Sequence, residues 1–376
     1  MAKLYRQDGG WAWMVLFSTF LGHVIHVGMS FTFGVYFVVL RDVFGSSASL
    51  TSWVGSLNTG LLFGTGPLAS VFLNKFGCRF TIILGGLIAT TGMVASYFAT
   101  NVYHLIITFG ITAGLGFGLA YTPSVVMVGT YFNRWRYLAT AIACTGGGLG
   151  NILFAVVFNK VIVAYGWQGS MLINGAIALN LVLCGVMMRP LDTKRSPTKM
   201  AVFDLTLLRD VKMFMFALSM ICWNVGTITV YFIVSDYLKE MGVDHDSAIY
   251  LLTIIGIANT VGRPLAGVTA LVPHWPYANL WLYTLSILGH GVASILFNVG
   301  HSYGVFAFCG ILFGFFFGTQ LGAIANVIID LFGMAKFNNS YGYLMFAQGV
   351  GIIIGPPIAG AIVVISQWTQ SPFCFT

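Results

Sequence analysis

Eleven stretches of roughly 20 or more mostly apolar residues follow one another along this chain, and no other feature constrains its fold as tightly. A helix crosses the hydrocarbon core of a bilayer in roughly 20 residues, and inside lipid each backbone N–H and C=O must be satisfied within the spanning structure. The stretches lie near 11–40, 51–73, 80–99, 102–129, 137–163, 166–188, 213–238, 247–272, 276–298, 302–332 and 339–366. Charged residues make up 7% of the chain, against about 25% in a soluble domain. The solvent of most of the surface is therefore lipid, and the expected fold is an all-α integral membrane protein. "MAKLYRQDGG" runs into the first stretch with no small-residue cleavage site, which reads as a spanning helix rather than a signal peptide.

The most charged segment, 189–212, carries two prolines and separates six spans from five. This divides the chain into a six-helix bundle over 1–188, a linker over 189–212 and a second bundle over 213–376. Basic residues set the orientation. With the N-terminus inside, Lys3, Arg6, Lys75, Arg79, Arg134, Arg136, the six basic residues of the linker and Lys336 are cytoplasmic, leaving only Arg41, Lys160 and Lys239 outside. "GPLASV" (66–71) in the second span matches "RPLAGV" (263–268) in the eighth, an offset of 197 residues that also carries the first span onto the seventh and the fifth onto the eleventh. Two parallel bundles related in this way place a substrate site near the midplane between them. The symmetry calls for a twelfth span. Only "SQWTQSPFCFT" follows the eleventh, as expected of a truncated or variant form, or of a C-terminus outside.

Several function classes drop out. The six cysteines are scattered, with no C-x-x-C and no zinc spacing, so buried free thiols are expected and no metal site. The net charge of +7 sits in short loops, so no nucleic-acid partner is expected. "GGGLGN" (146–151) follows no strand and lacks Lys-Ser/Thr, which excludes a phosphate loop. With no H-E-x-x-H, no paired acids and no nucleophile elbow, neither an enzyme nor a cofactor is expected.

One charge stands out within the spans. An arginine at a helix centre costs about 2.5–3.5 kcal/mol on insertion scales and cannot escape by deprotonating. Arg263 sits just past the middle of the eighth span, and no Asp or Glu occurs between Asp246 and Asp330. Gly256, Asn259, Thr260, Arg263 and Gly267 share one small, polar face, while Ile254, Ile257, Val261, Leu265 and Val268 cover the other. Two readings follow. Pro264 frees a carbonyl near Thr260 that Arg263 could cap, or the guanidinium is a planar receptor for a carboxylate.

Other polar and aromatic residues in the spans read as site lining or as helix packing: Asn224, Thr227 and Tyr231 in the seventh, Phe315, Phe317 and Gln320 in the tenth, and Tyr121 and Ser124 beside Pro123 in the fourth. His23 and His26, three apart on the first span, are either a titratable pair or hydrogen-bonding links between helices. Asp330 is expected to partner a basic residue at the cytoplasmic end. Asp8 suits the positive end of the first helix, against a conformational role. Trp11 and Trp13 suit the membrane interface, Gly146 and Gly150 allow close helix approach, and Arg134 and Arg136 read as inside anchors.

"DGGWAW" (8–13), containing Asp8, Gly9, Gly10, Trp11 and Trp13, and "YFNRWRYLATAIACTGGGLG" (131–150) resemble the two signature motifs of the monocarboxylate transporter family, within the major facilitator superfamily. The second departs at Ala141 and Thr145, where the family pattern has Gly and Ala. "NKFGCR" (74–79) and "IIDLFG" (328–333) also look like the family's loops. The resemblance implies two pseudo-symmetric bundles working by alternating access. Proton-coupled lactate carriers of the family have a Lys in the first span and an Asp and an Arg one turn apart in the eighth. Arg263 matches the Arg, Asn259 stands at the Asp position, and Phe31 or its neighbour Ser30 stands at the Lys position; Phe63 occupies a site-facing position. The resemblance thus implies a facilitative carrier of a monocarboxylate or a carboxylate-bearing zwitterion at the plasma membrane, without strong proton coupling. The alternatives are a proton-linked symporter of lactate, pyruvate or ketone bodies, and a non-transporting membrane sensor. It also implies a single-span immunoglobulin-type chaperone as a partner besides lipid.

Overall fold

A computed structural model of the chain describes residues 7–191, 207, 209–240, 245–268, 277–297 and 302–370, with side chains except at 48, 229, 231–249, 252, 268 and 356–370. Among the described residues all regular structure is helical. The first span is α1 (Gly10–Phe31) and α2 (Gly34–Phe44), broken at Thr32, whose hydroxyl turns back 2.7 Å to Gly28 O and bends the helix. The second is α3 (Ala48–Gly64) and α4 (Gly66–Phe76), broken at Thr65 just before Pro67, which has no N–H to offer and so suits the start of a helix. Next come α5 (Cys78–Ser96), then α6 (Val102–Leu105), a π-helical stretch over Ile106–Ala113 and α7 (Gly114–Tyr131), which together form the fourth span.

The remaining helices are α8 (Arg136–Met187), α9 (Val211–Glu240), α10 (His245–Val268), α11 (Ala278–Leu296) and α12 (Tyr303–Gln370). Two of them are double. α8 is interrupted at Gly166 (φ 71°) and α12 at Gly333 (φ 73°), positions where a side chain would be strained. Among the described residues, seven helical stretches are long and apolar enough to cross a membrane. Because α8 and α12 each hold two of the expected spans, the second span is split, and α10 is the eighth, all eleven apolar runs are accounted for. The outer surface is as apolar as the core: Phe98 and Val163 are 71% and 82% exposed, while Ser18, Thr19, Asn58, Asn174 and Gln320 are buried.

Glycine ladders tie the helices in pairs, and the pairs repeat. Gly110, Gly114 and Gly118 of the fourth span lie against Val54, Asn58 and Leu62 of α3; a methyl at Gly114 would stand 2.9 Å from Asn58 O, and one at Gly118 2.8 Å from Leu62 O. In the second half, Gly314 and Gly318 of α12 lie in the same way against the carbonyls of Ile255 and Asn259 of α10, and Gly310 lies against the side chain of Leu251. The two sets differ by 200 residues on one helix (310 against 110) and by 197 on the other (251 against 54). Small residues that let backbones touch are the usual means of helix association in lipid, where apolar side chains gain nothing by leaving the solvent. The second ladder has one more rung, Gly322 against Arg263 O.

Candidate substrate site between the two halves of the chain

That additional rung places Arg263. With the backbone of α10 pressed against α12 on one side, the side chain leaves on the other, toward the first limb of α8. Gly147 there makes the room: a methyl on it would stand 2.6 Å from Arg263 Nη1. Arg263 Nε donates to Asn259 Oδ1 at 3.0 Å, one turn back on the same helix, and Nη1 donates to Cys144 O in the other half of the chain. The side chain is 7% exposed. It opens on a cleft lined by Val27 and Phe31 of α1, Gly147, Gly148 and Asn151 of α8, Gly256 and Asn259 of α10, and Phe317 of α12. The break in the first span lies beside this cleft, and Thr32 Oγ1 reaches Asn151 Oδ1 at 2.9 Å.

The cleft therefore brings together five residues singled out in the sequence: Arg263, Asn259, Gly256, Phe31 and Phe317. The carbonyl-capping reading of Arg263 is met in altered form, because the carbonyl belongs to Cys144 across the seam and not to the turn ahead of Pro264. Phe63 stands behind Phe31, its ring 6.3 Å away edge-on, and contacts Tyr121 at 5.2 Å. Ser30 and Gln320 are buried outside the lining, Gln320 beside Tyr283. Asn224 Nδ2 donates to Met220 O on its own helix at 2.8 Å. The Tyr231 side chain lies outside the described residues. Sequence reasoning missed Val27, Gly148 and Asn151. Of these only Asn151, an amide in an apolar run, carried any signal.

His23 and His26 do not line the cleft. They are buried in the first half with ring centroids 4.8 Å apart, both against Tyr121. His23 Nδ1 donates to Thr19 O at 2.8 Å, a bond within α1 and not the link between helices expected of it. A carbonyl only accepts, so Nδ1 carries the hydrogen. Tyr121 in turn reaches Tyr341 of the second half, hydroxyl to hydroxyl at 3.2 Å.

Two expectations are corrected. Asp8 does not cap α1, whose first turn begins at Gly9 without a side-chain cap. At φ 55° it turns away, and its carboxylate accepts from the backbone N–H groups of Asn133 (3.0 Å) and Arg134 (3.2 Å). Asp8 N donates to Tyr131 O, so the two signature motifs are one knot. Trp13 stacks edge-on upon Phe132, Trp11 Nε1 donates to Met187 O, and Arg136 Nε donates to Phe132 O. Gly146 and Gly150 press on Phe20 O and Val24 O of α1, as close packing requires. Asp330 is held by neutral donors rather than by a basic residue. Tyr137 OH and Asn279 Nδ2 both reach it at 2.7 Å, because α8 and α11 bring a hydroxyl and an amide to its two oxygens.

Residues 19–278 match the sequence profile of the Major Facilitator Superfamily. Mouse monocarboxylate transporter 4 is 34% identical over 372 residues, covering 94% of this chain and 78% of the relative. Human monocarboxylate transporter 14 is 31% identical over 447 residues, covering 96% and 86%. Among solved structures, the human organic anion transporter MFSD10 superposes with a TM-score of 0.73 at 15% identity, over 92% of each chain. The proton:xylose symporter XylE gives 0.71 at 15% identity, over 96% and 90%. At that identity the structures speak for the fold alone, and the fold agrees with the sequence relatives. The chain is a transporter and not an enzyme, and it belongs to the monocarboxylate transporter family of the major facilitator superfamily.

Proposed function

We propose that this chain carries a monocarboxylate, or a zwitterion bearing one carboxylate, with Arg263 holding the carboxylate while 1–188 and 213–376 move as two units joined by 189–212. The observation that carries this reading is the buried guanidinium at the cleft, bridged to Cys144 O of the opposite half. The names of the mouse and human relatives support the substrate class. A carboxylate meets the guanidinium charge to charge and can take two of its N–H groups at once, which a neutral carbonyl cannot, so it displaces Cys144 O from Arg263. Exchange of that bridge gives the substrate a different affinity for the two arrangements of the halves, which any ligand-driven change requires.

Proton coupling is weak in this reading, because Asn259 cannot titrate where an Asp would. The transporter sits in the plasma membrane with its N-terminus in the cytoplasm, and a single-span immunoglobulin-type chaperone accompanies it. Arg263→Ala is expected to reduce carboxylate uptake to background with surface copies unchanged; uptake retained in that variant removes the assignment. In the same assay, wild-type uptake that climbs by about tenfold per pH unit of imposed proton gradient contradicts the weak coupling.

A further inference from the structure

Asn259 offers the cleft something that its bond to Arg263 does not use. A primary amide has one acceptor oxygen and two N–H donors. Oδ1 accepts from Arg263 Nε at 3.0 Å. Turning the amide over would set Nδ2 against Nε–H, donor against donor, so the arginine dictates which way the amide faces. Nδ2 is then directed away from the guanidinium stem. It is buried, has no hydrogen-bond partner, and belongs to a residue that is 4% exposed and lines the cleft. Buried donors in native structures are nearly all satisfied, and among the unpartnered buried polar atoms of the described residues this one alone belongs to a residue that lines the cleft.

We propose that Asn259 Nδ2 is a second donor to the substrate carboxylate, fixed in that role by Arg263. The inference rests on Arg263 as the carboxylate receptor and sharpens the substrate class. One carboxylate oxygen is taken by the guanidinium and the other by the amide, so this end of the cleft presents donors only. It selects an ionised carboxylate over the corresponding amide or ester, which cannot offer two anionic oxygens. An aspartate at 259 would keep the bond to Nε and aim an acceptor at the substrate instead.

The test uses the full chain in proteoliposomes, where delivery to the surface plays no part, with labelled pyruvate, L-lactate, carnitine and phenylalanine as probes. KM and turnover are followed for whichever the wild type carries. Asn259→Asp is isosteric and keeps the Nε contact. Its KM is expected to rise at least about tenfold at pH 7.5 and to fall back as the pH is lowered and the acid regains an O–H donor. Asn259→Met, neutral and of similar reach, is expected to raise KM by a like factor at every pH while turnover stays within about twofold. An unchanged KM in Asn259→Met, or a raised KM in Asn259→Asp that ignores pH, overturns the proposal. Arg263→Ala run in parallel separates the two levels. If it loses uptake while both Asn259 variants keep the wild-type KM, only the second donor fails. If it keeps uptake, or if the wild type carries none of the four probes, the receptor reading itself fails.

Discussion

The two halves of the chain meet along two seams that occupy equivalent places in the repeat and are built in opposite ways. In one, Gly64 and Gly66 of the second span meet Gly349 and Gly342 of α12 backbone against backbone, and Gly60 takes the side chain of Ile353. In the other, Thr260 and Arg263 of α10 meet Gly147 and Gly148 of α8. The offset of 197 carries Gly66 onto Arg263, and carries residue 145, next to Cys144, onto Gly342. Where the first seam has a glycine on a glycine carbonyl, the second has an arginine reaching a carbonyl. The first seam closes where glycines stand on both helices. The second has a guanidinium in the corresponding place, and the cleft lies there. Function thus enters as a break in the symmetry, at a position where the architecture needs only a small residue on the other side.

The largest effect is expected where backbone touches backbone. A side chain at Gly349 has no space, since even a methyl would stand 2.6 Å from Gly64 Cα. Overpacking commonly costs about 1–3 kcal/mol, and more where no flexible group can yield. Gly349→Val is expected to lower the thermal midpoint of purified protein and to leave uptake below about a tenth of wild type. Normal uptake in that variant would mean that the seam is not closed during transport. The second seam is expected to respond more mildly. In Gly147→Ala the new methyl meets the guanidinium and Val27 Cγ1 (2.8 Å), and these ends can shift. Its expected signature is a KM raised about three- to tenfold, or roughly 0.7–1.4 kcal/mol, with the midpoint little changed. Equal damage in both variants would erase the distinction between the seams.

How much of this was legible in the sequence follows from what each feature costs. Arg263 was legible because a permanent charge in an apolar run is expensive wherever it points. The repeat was legible only as a six-residue stretch with four identical letters, yet the glycine ladders extend it over four spans. Those glycines are part of a background of 46, and only the partner helix shows which of them touch a carbonyl. Asp330 was misread because the sequence suggests charge partners by sign, and the capping reading of Asp8 failed because the chain turns away ahead of the helix. The fold satisfied both carboxylates with neutral donors from segments distant in the chain. Aromatic residues carried least information. With 32 phenylalanines, helical spacing does not separate Phe317, which lines the cleft, from Phe315, which stacks edge-on upon Phe316.

The smallest effect is expected at the ends of the seams nearest Asp8. There the two are again unlike. The glycine seam ends in amides, with Asn74 Nδ2 donating to Asn339 Oδ1 at 2.8 Å, Asn338 Nδ2 to Asn74 Oδ1 at 3.0 Å, and Ser70 Oγ to Asn338 O at 2.8 Å. The arginine seam ends in the hydroxyl of Tyr137 on Asp330, an exposed bond, with Asn326 Nδ2 on Tyr137 O at a longer 3.5 Å. Water competes for both partners there, and Asn279 Nδ2 still holds the carboxylate when the hydroxyl is gone. Exposed charged contacts typically contribute about 0–1 kcal/mol. Tyr137→Phe is therefore expected to change turnover by less than about twofold and to leave KM alone. Asn74→Ala, which breaks both of its amide bonds, is expected to act more strongly on turnover. Both are read from initial rates in the same proteoliposomes. If Tyr137→Phe slows turnover more than Asn74→Ala does, the arginine seam is latched at its end as firmly as the glycine seam. The difference between the seams would then lie at the cleft alone.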